Sequence, residues 1–133
     1  MLTATTYVAR PPDACWRAFT DPAVLAAWVP GLRRVRVIAT GPDARPIEIQ
    51  FEFSASLIYT LVYSYDPAAR EVRWEPRAGK RDAVRGLARF DPFDEGTRIT
   101  YSVEHGDGRS PAERTSPQDI LDAFARWMQD ARR

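Results

Sequence analysis

From Ile47 to Tyr65 every odd position carries an apolar or aromatic residue or the small Ala55: Ile47, Ile49, Phe51, Phe53, Ala55, Leu57, Tyr59, Leu61, Tyr63 and Tyr65. Side chains in a strand alternate faces with period two, so one face of this stretch is apolar and aromatic, while Glu48, Gln50, Glu52, Thr60 and Ser64 populate the other. A single strand of this length would far exceed the usual ~3–10 residues, and the pattern predicts a hairpin bending at Ser54-Ala55-Ser56. A three-residue loop pairs residue i with i+4, sets Phe53 opposite Leu57 and keeps the odd residues on one face. Such a face needs a cover.

The same alternation marks the other strands. Leu2 to Ala9 reads as a strand ended by Arg10-Pro11-Pro12, with Thr6 and Val8 on its inner face. Leu32 to Ala39 sets Val35 and Val37 against Arg34 and Arg36. Glu71 to Glu75 alternates Val72 and Trp74 with charged neighbours. Arg81 to Asp91 turns Val84, Gly86, Ala88 and Phe90 one way and Arg85, Leu87 and Arg89 the other. Asp94-Glu95-Gly96 then leads into Thr97 to His105, with Ile99, Tyr101 and Val103 on one side.

Three segments change period. Asp13 to Phe19 forms a short helix behind Pro12, with Cys15, Phe19 and Trp16 as its buried side. Asp21-Pro22 is an N-cap followed by proline at the first helical position, opening a second short helix through Val24, Leu25 and Trp28 that Pro30-Gly31 ends. The best-defined helix starts at Ser116-Pro117 with Asp119 in its first turn and Arg132 and Arg133 at its far end. Its stripe of Ile120, Phe124, Trp127 and Ala131, with Leu121 and Met128 beside it, is the cover the sheet requires.

Composition narrows the function classes. The 133 residues make one domain, 1–133. Nineteen Lys and Arg against 18 Asp and Glu leave a net charge of +1, so no global field favours nucleic acid or an anionic membrane. A single cysteine, Cys15, rules out an intramolecular disulfide and a multi-cysteine metal site, and one histidine offers little to a metal. No run of about 18 apolar residues and no signal-peptide pattern is present. A cytoplasmic protein without metal or cofactor, monomer or homodimer, is the expectation.

Order and local motifs together carry a resemblance. A strand, two short helices, six strands and a long helix resemble the helix-grip architecture of the START/Bet v 1-like (SRPBCC) superfamily, of the polyketide cyclase/dehydrase and lipid transport type. Val8-Ala9-Arg10-Pro11-Pro12-Asp13-Ala14-Cys15-Trp16 is similar to that family's opening strand, proline turn and helix, with Cys15 where Val is usual. Thr20-Asp21-Pro22 through Leu25, Trp28 and Pro30-Gly31 resembles a second segment, and Asp94-Glu95-Gly96-Thr97-Arg98-Ile99-Thr100-Tyr101 a third. The resemblance implies an α+β fold, a curved antiparallel sheet of about seven strands under the C-terminal helix, with a cavity between them for lipids, polyketides or other hydrophobic small molecules. These motifs are structural, and none is a catalytic signature.

The lining such a cavity would have is Phe51, Phe53, Tyr59, Leu61, Tyr63, Trp74, Phe90, Tyr101, Phe124 and Trp127. Each of these residues also fits plain core packing, which is what such periodicity reports first. Tyr63, Tyr101 and His105 are the weak catalytic candidates, His105 lying on the parity of Tyr101 at a strand end. Cys15 has no evident activating base and packs as a small hydrophobe. The expected function is binding, with transport a further option, of a hydrophobic or amphipathic molecule. The alternatives are a polyketide cyclase or dehydratase using Tyr or His as acid and base, and a protein-interaction module without ligand. Arg34, Arg36, Arg85 and Arg89 fit a solvated outer face, and neither nucleic acid nor an integral membrane is an expected partner.

Overall fold

The alternating segments form strands and the capped, 3.6-period segments form helices in the computed structural model of the chain. The structure describes residues 2–55, 57–77, 84–105 and 116–130, except for the side chains of Val84 and His105. In chain order the elements are β1 (Leu2–Val8), α1 (Pro12–Phe19), α2 (Pro22–Trp28), β2 (Arg34–Thr40), β3 (Pro46–Ser54), β4 (Leu57–Asp66), β5 (Glu71–Pro76), β6 (Val84–Phe93), β7 (Gly96–His105) and α3 (Pro117–Asp130). The strands make one curved antiparallel sheet in the order β1-β7-β6-β5-β4-β3-β2. From β2 onward each strand pairs with the next in sequence. The two short helices carry the chain from one edge, β1, to the other, β2.

The central hairpin has the register expected from parity along most of its length: Glu48 faces Val62, Ile49 faces Leu61 and Phe51 faces Tyr59. The tip differs. A register shift after Glu52 puts Ser54, not Phe53, opposite Leu57. The extra residue forms a bulge, which bends the strand locally. A second irregularity follows Val37 on the edge strand β2, so Val35 and Val37 keep the expected shared face, opposite Phe51 and Ile49. Val35 packs against the core, while Val37 is 41% exposed.

The inner face buries Ala4 and Val8 from β1, Ile99, Tyr101 and Val103 from β7, Ala88 and Phe90 from β6, and Val72 and Trp74 from β5. Gly86 on β6 is what admits Trp74, its cross-strand partner. A Cβ at Gly86 would lie 2.5 Å from the Ser102 carbonyl oxygen and 2.8 Å from the Trp74 ring, so the indole lies where a side chain would stand.

Helix α3 covers this part of the sheet from one side, packing along β1 and β7 and touching α2. Its buried stripe is Leu121, Phe124, Ala125 and Met128, with Ile120 and Trp127 only partly covered. That is a rotation of a fraction of a turn relative to the expected stripe. The physical reason is its seat on β1 and β7, which differs from the expected span across several strands. Ala131, Arg132 and Arg133 lie outside the described residues. Ser116 caps the start, its hydroxyl accepting from the Asp119 N–H at 3.1 Å. At the other end Arg10 donates to the Met128 carbonyl at 3.1 Å and Gln129 accepts from the Ala9 N–H at 3.2 Å, tying the helix to the turn after β1.

On the outer face arginines meet carboxylates of neighbouring strands: Arg34 lies 3.9 Å from Glu52, Arg85 3.7 Å from Glu104 and Arg89 3.4 Å from Glu71. This is the solvated, mixed-charge surface expected. Among the described residues no helix is long and apolar enough to cross a membrane.

Candidate ligand-binding site

The aromatic side chains of the inner face fall into two arrangements. Around Phe19 of α1 the rings come from different elements and interlock: Phe90 at 5.2 Å and 64°, Phe124 at 5.4 Å and 78°, and Tyr101 at 6.2 Å and 66°. Trp28 sits 4.8 Å from Phe124 at 66°. Edge-to-face contact of this kind fills space from both sides and is favourable for ring quadrupoles.

Along β3 and β4 the rings stand side by side. Phe53 and Tyr59 are 5.7 Å apart at 28°, Phe51 and Tyr59 5.9 Å at 32°, Phe51 and Tyr63 6.4 Å at 26°, and Tyr63 and Tyr65 6.1 Å at 22°. Near-parallel rings are what neighbours on one pleated face give when nothing from the opposite layer wedges between them. Trp74 joins the two groups, 6.0 Å from Tyr63 and 5.6 Å from Tyr101.

Burial follows this division only in part, since Phe51 in the row is nearly as buried as the interlocked rings. Phe90 and Phe124 are fully buried, and Leu61, Trp74, Phe51 and Tyr101 nearly so. Phe53, Tyr59, Tyr63 and Trp127 are only partly buried. His105 ends β7 opposite Val84, and its side chain lies outside the described residues.

The phenols of the open row are shifted together. Burial, followed by the nearby Tyr65, Tyr59 and Tyr101, pushes the Tyr63 phenol well above its ordinary value. Burial and then Tyr59 raise Tyr101 in the same direction, and burial lifts Tyr65 to about 12. All three stay protonated at neutral pH and serve as hydrogen-bonding groups there. Tyr65 donates to the Pro46 carbonyl at 2.5 Å. The hydroxyls of Tyr63 and Tyr101 make no hydrogen bond to another described residue.

Other polar groups near the core are satisfied or face outward. Thr97 donates to the Arg10 carbonyl at 2.7 Å, and the Ser102 and Thr3 hydroxyls share a bond at 3.0 Å. Glu71 lies on the outer face between Arg73 and Arg89. Cys15 is fully buried, with burial raising its thiol, and packs as a small apolar residue. Among the described residues no group of three or more His, Cys, Asp or Glu could hold a metal ion. Among the described residues two buried polar atoms lack a hydrogen bond: Glu48 Oε2, which has the Arg77 guanidinium 3.2 Å away, and the Trp28 indole nitrogen, sealed inside. The period of α2 placed Trp28 on the buried side, but only the packing of α1, α2 and α3 shows where its N–H ends.

A curved antiparallel sheet with a C-terminal helix laid on its inner face defines the helix-grip class. Over residues 1–133 the chain matches the family described as polyketide cyclase / dehydrase and lipid transport, and it belongs to that family. No curated protein matches the chain. Among solved structures it is similar to a protein of Thermus thermophilus, at 15% identity and TM-score 0.79 over 98% of this chain and 97% of that one. It is also similar to the STAR-related lipid transfer protein of Xanthomonas axonopodis, at 16% identity and TM-score 0.69 over 96% and 84%. The Zhui aromatase/cyclase of Streptomyces sp. R1128 aligns at 19% identity and TM-score 0.63 over 98% and 87%. At these identities the likeness is one of fold.

Proposed function

We propose that the protein binds a hydrophobic or amphipathic small molecule against the inner face of β3 and β4, in a cavity bounded on its other side by α2 and α3. The observation that carries this reading is the row of near-parallel rings from Phe53 to Tyr63, partly buried except at Phe51, which runs into two hydroxyls without a hydrogen-bond partner among the described residues. Binding draws on desolvation, at roughly 25 cal/mol for each Å² of apolar surface covered. Tyr63 and Tyr101 orient the polar end. Structural neighbours named as a lipid transfer protein and an aromatase/cyclase fit a ligand of this kind.

A cyclase or dehydratase requires a group that accepts a proton near neutral pH. The raised phenols of Tyr63 and Tyr101 are far from that range, which supports holding over transforming. Native mass spectrometry of the purified protein, together with uptake of the neutral hydrocarbon probe diphenylhexatriene, tests the proposal. Stoichiometric carriage of a small molecule or saturable probe fluorescence is expected. Ligand-free protein that takes up no probe overturns it.

A further inference from the structure

Of the four tryptophans, Trp74 alone stands on a strand, and Gly86 decides how it lies. A Cβ at Gly86 would come within 2.8 Å of Trp74 Cζ2 and 3.0 Å of Cε2, so the indole from β5 is laid across its cross-strand partner on β6. It occupies the place of two side chains, its own and the one Gly86 lacks. Tyr63 flanks the indole at 6.0 Å and 34°, and Tyr101 flanks it at 5.6 Å and 33°.

Free space beside these rings is the second observation. The hydroxyls of Tyr63 and Tyr101 make no hydrogen bond to another described residue, yet neither oxygen is sealed, as the Trp28 indole nitrogen and Glu48 Oε2 are. Both oxygens therefore touch open space, although burial is the leading cause of the rise in both phenols. Tyr101 as a whole is only 6% exposed. Space that reaches groups set this deep belongs to the interior of the fold.

We infer that Trp74 and Gly86 together set the depth of the site on the inner face: the indole is its floor, and side-chain volume at positions 74 and 86 selects ligands by thickness. The inference rests on the binding function proposed above and adds the residues that limit what fits. Gly86 is a positioning residue, acting through the indole. Removing the indole leaves a hollow that the surroundings fill only in part, whereas a methyl at position 86 drives the ring toward the open space.

Anthracene and triptycene test this, scored by displacement of diphenylhexatriene. Anthracene is flat; triptycene is the same frame with a further benzene ring standing out of the plane. In Trp74→Ala the ratio of triptycene to anthracene affinity is expected to rise at least about tenfold, the size of a relieved overpacking penalty. In Gly86→Ala it is expected to fall about threefold or more. In the unmodified protein, Trp74 ring protons are expected to show intermolecular NOEs to bound anthracene, and this readout decides the matter where a variant fails to fold. A ratio unmoved in either folded variant, a ratio moved the same way in both, or bound anthracene without an NOE to Trp74 overturns the inference and leaves the binding function standing. Uptake of neither probe, nor of diphenylhexatriene, overturns both.

Discussion

The inner faces of β6 and β7 and of β3 and β4 are written in the same alternation, yet they end in different environments. Ile99 and Phe90 are fully buried, because α1 and α3 lower Phe19, Leu121, Phe124 and Met128 onto that side of the sheet. Tyr59, Tyr63 and Phe53 keep part of their surface uncovered and lean on one another. Period-two patterning therefore specifies which face turns inward, and the docking of the helices decides which part of that face is core and which is left for something else to cover.

The largest expected effect lies on the covered side. Phe124→Ala removes a ring locked between Phe19 and Trp28 and is expected to cost about 3–5 kcal/mol in urea unfolding. Tyr59→Ala, from the open row, is expected to cost less than half of that. Equal costs would abolish the distinction between the two regions. Next comes Gly86→Ala, whose added methyl meets backbone at 2.5 Å and the Trp74 ring; a loss of about 2–3 kcal/mol is expected, with a shift in tryptophan emission. A loss below about 0.5 kcal/mol would show that Trp74 is not held by that close approach.

Much of this was legible in the residues. The i to i+4 register followed from unchanged parity through Ser54-Ala55-Ser56, and the caps at Asp21 and Ser116 accept from Ala23 and Asp119 as expected. Bulges were not legible, since an extra residue at the Phe53 tip or at Ile38 leaves local composition unchanged while shifting the pairing. The face of α3 was read a fraction of a turn away, because Leu121 and Ile120 are equally apolar and only the seat on β1 and β7 chooses between them. A cation near the end of α3 comes from Arg10, distant in sequence, while Arg132 and Arg133 lie outside the described residues. All ten lining candidates lie within the inner layer, but their division into sealed and partly open positions depends on tertiary packing.

Alkaline titration sharpens the contrast further. A phenol whose folded value is raised binds its proton more tightly in the folded state, so its contribution is full below the ordinary value near 10 and is lost as pH rises through the folded value. Tyr65, Tyr63 and Tyr101 all shift upward, Tyr65 to about 12, so stability is expected to fall above pH 10. Phenolate absorbance from these three should appear late and together with unfolding. Early, reversible ionisation of Tyr63 in folded protein would place its hydroxyl in bulk water. The smallest effect belongs to Tyr63→Phe, which removes a hydroxyl without a hydrogen-bond partner among the described residues and is expected to change stability by less than about 0.5 kcal/mol.

The claim that the open row of β3 and β4 receives a ligand is tested most directly by photolabelling with benzophenone, a neutral aromatic ketone that inserts into nearby C–H bonds, followed by mass-spectrometric mapping of the adducts. The account predicts saturable labelling confined to Phe53, Tyr59, Tyr63 and the side chains facing them from α2 and α3. Adducts concentrated on outward residues such as Ile58 and Val62, or no saturable labelling, would contradict it.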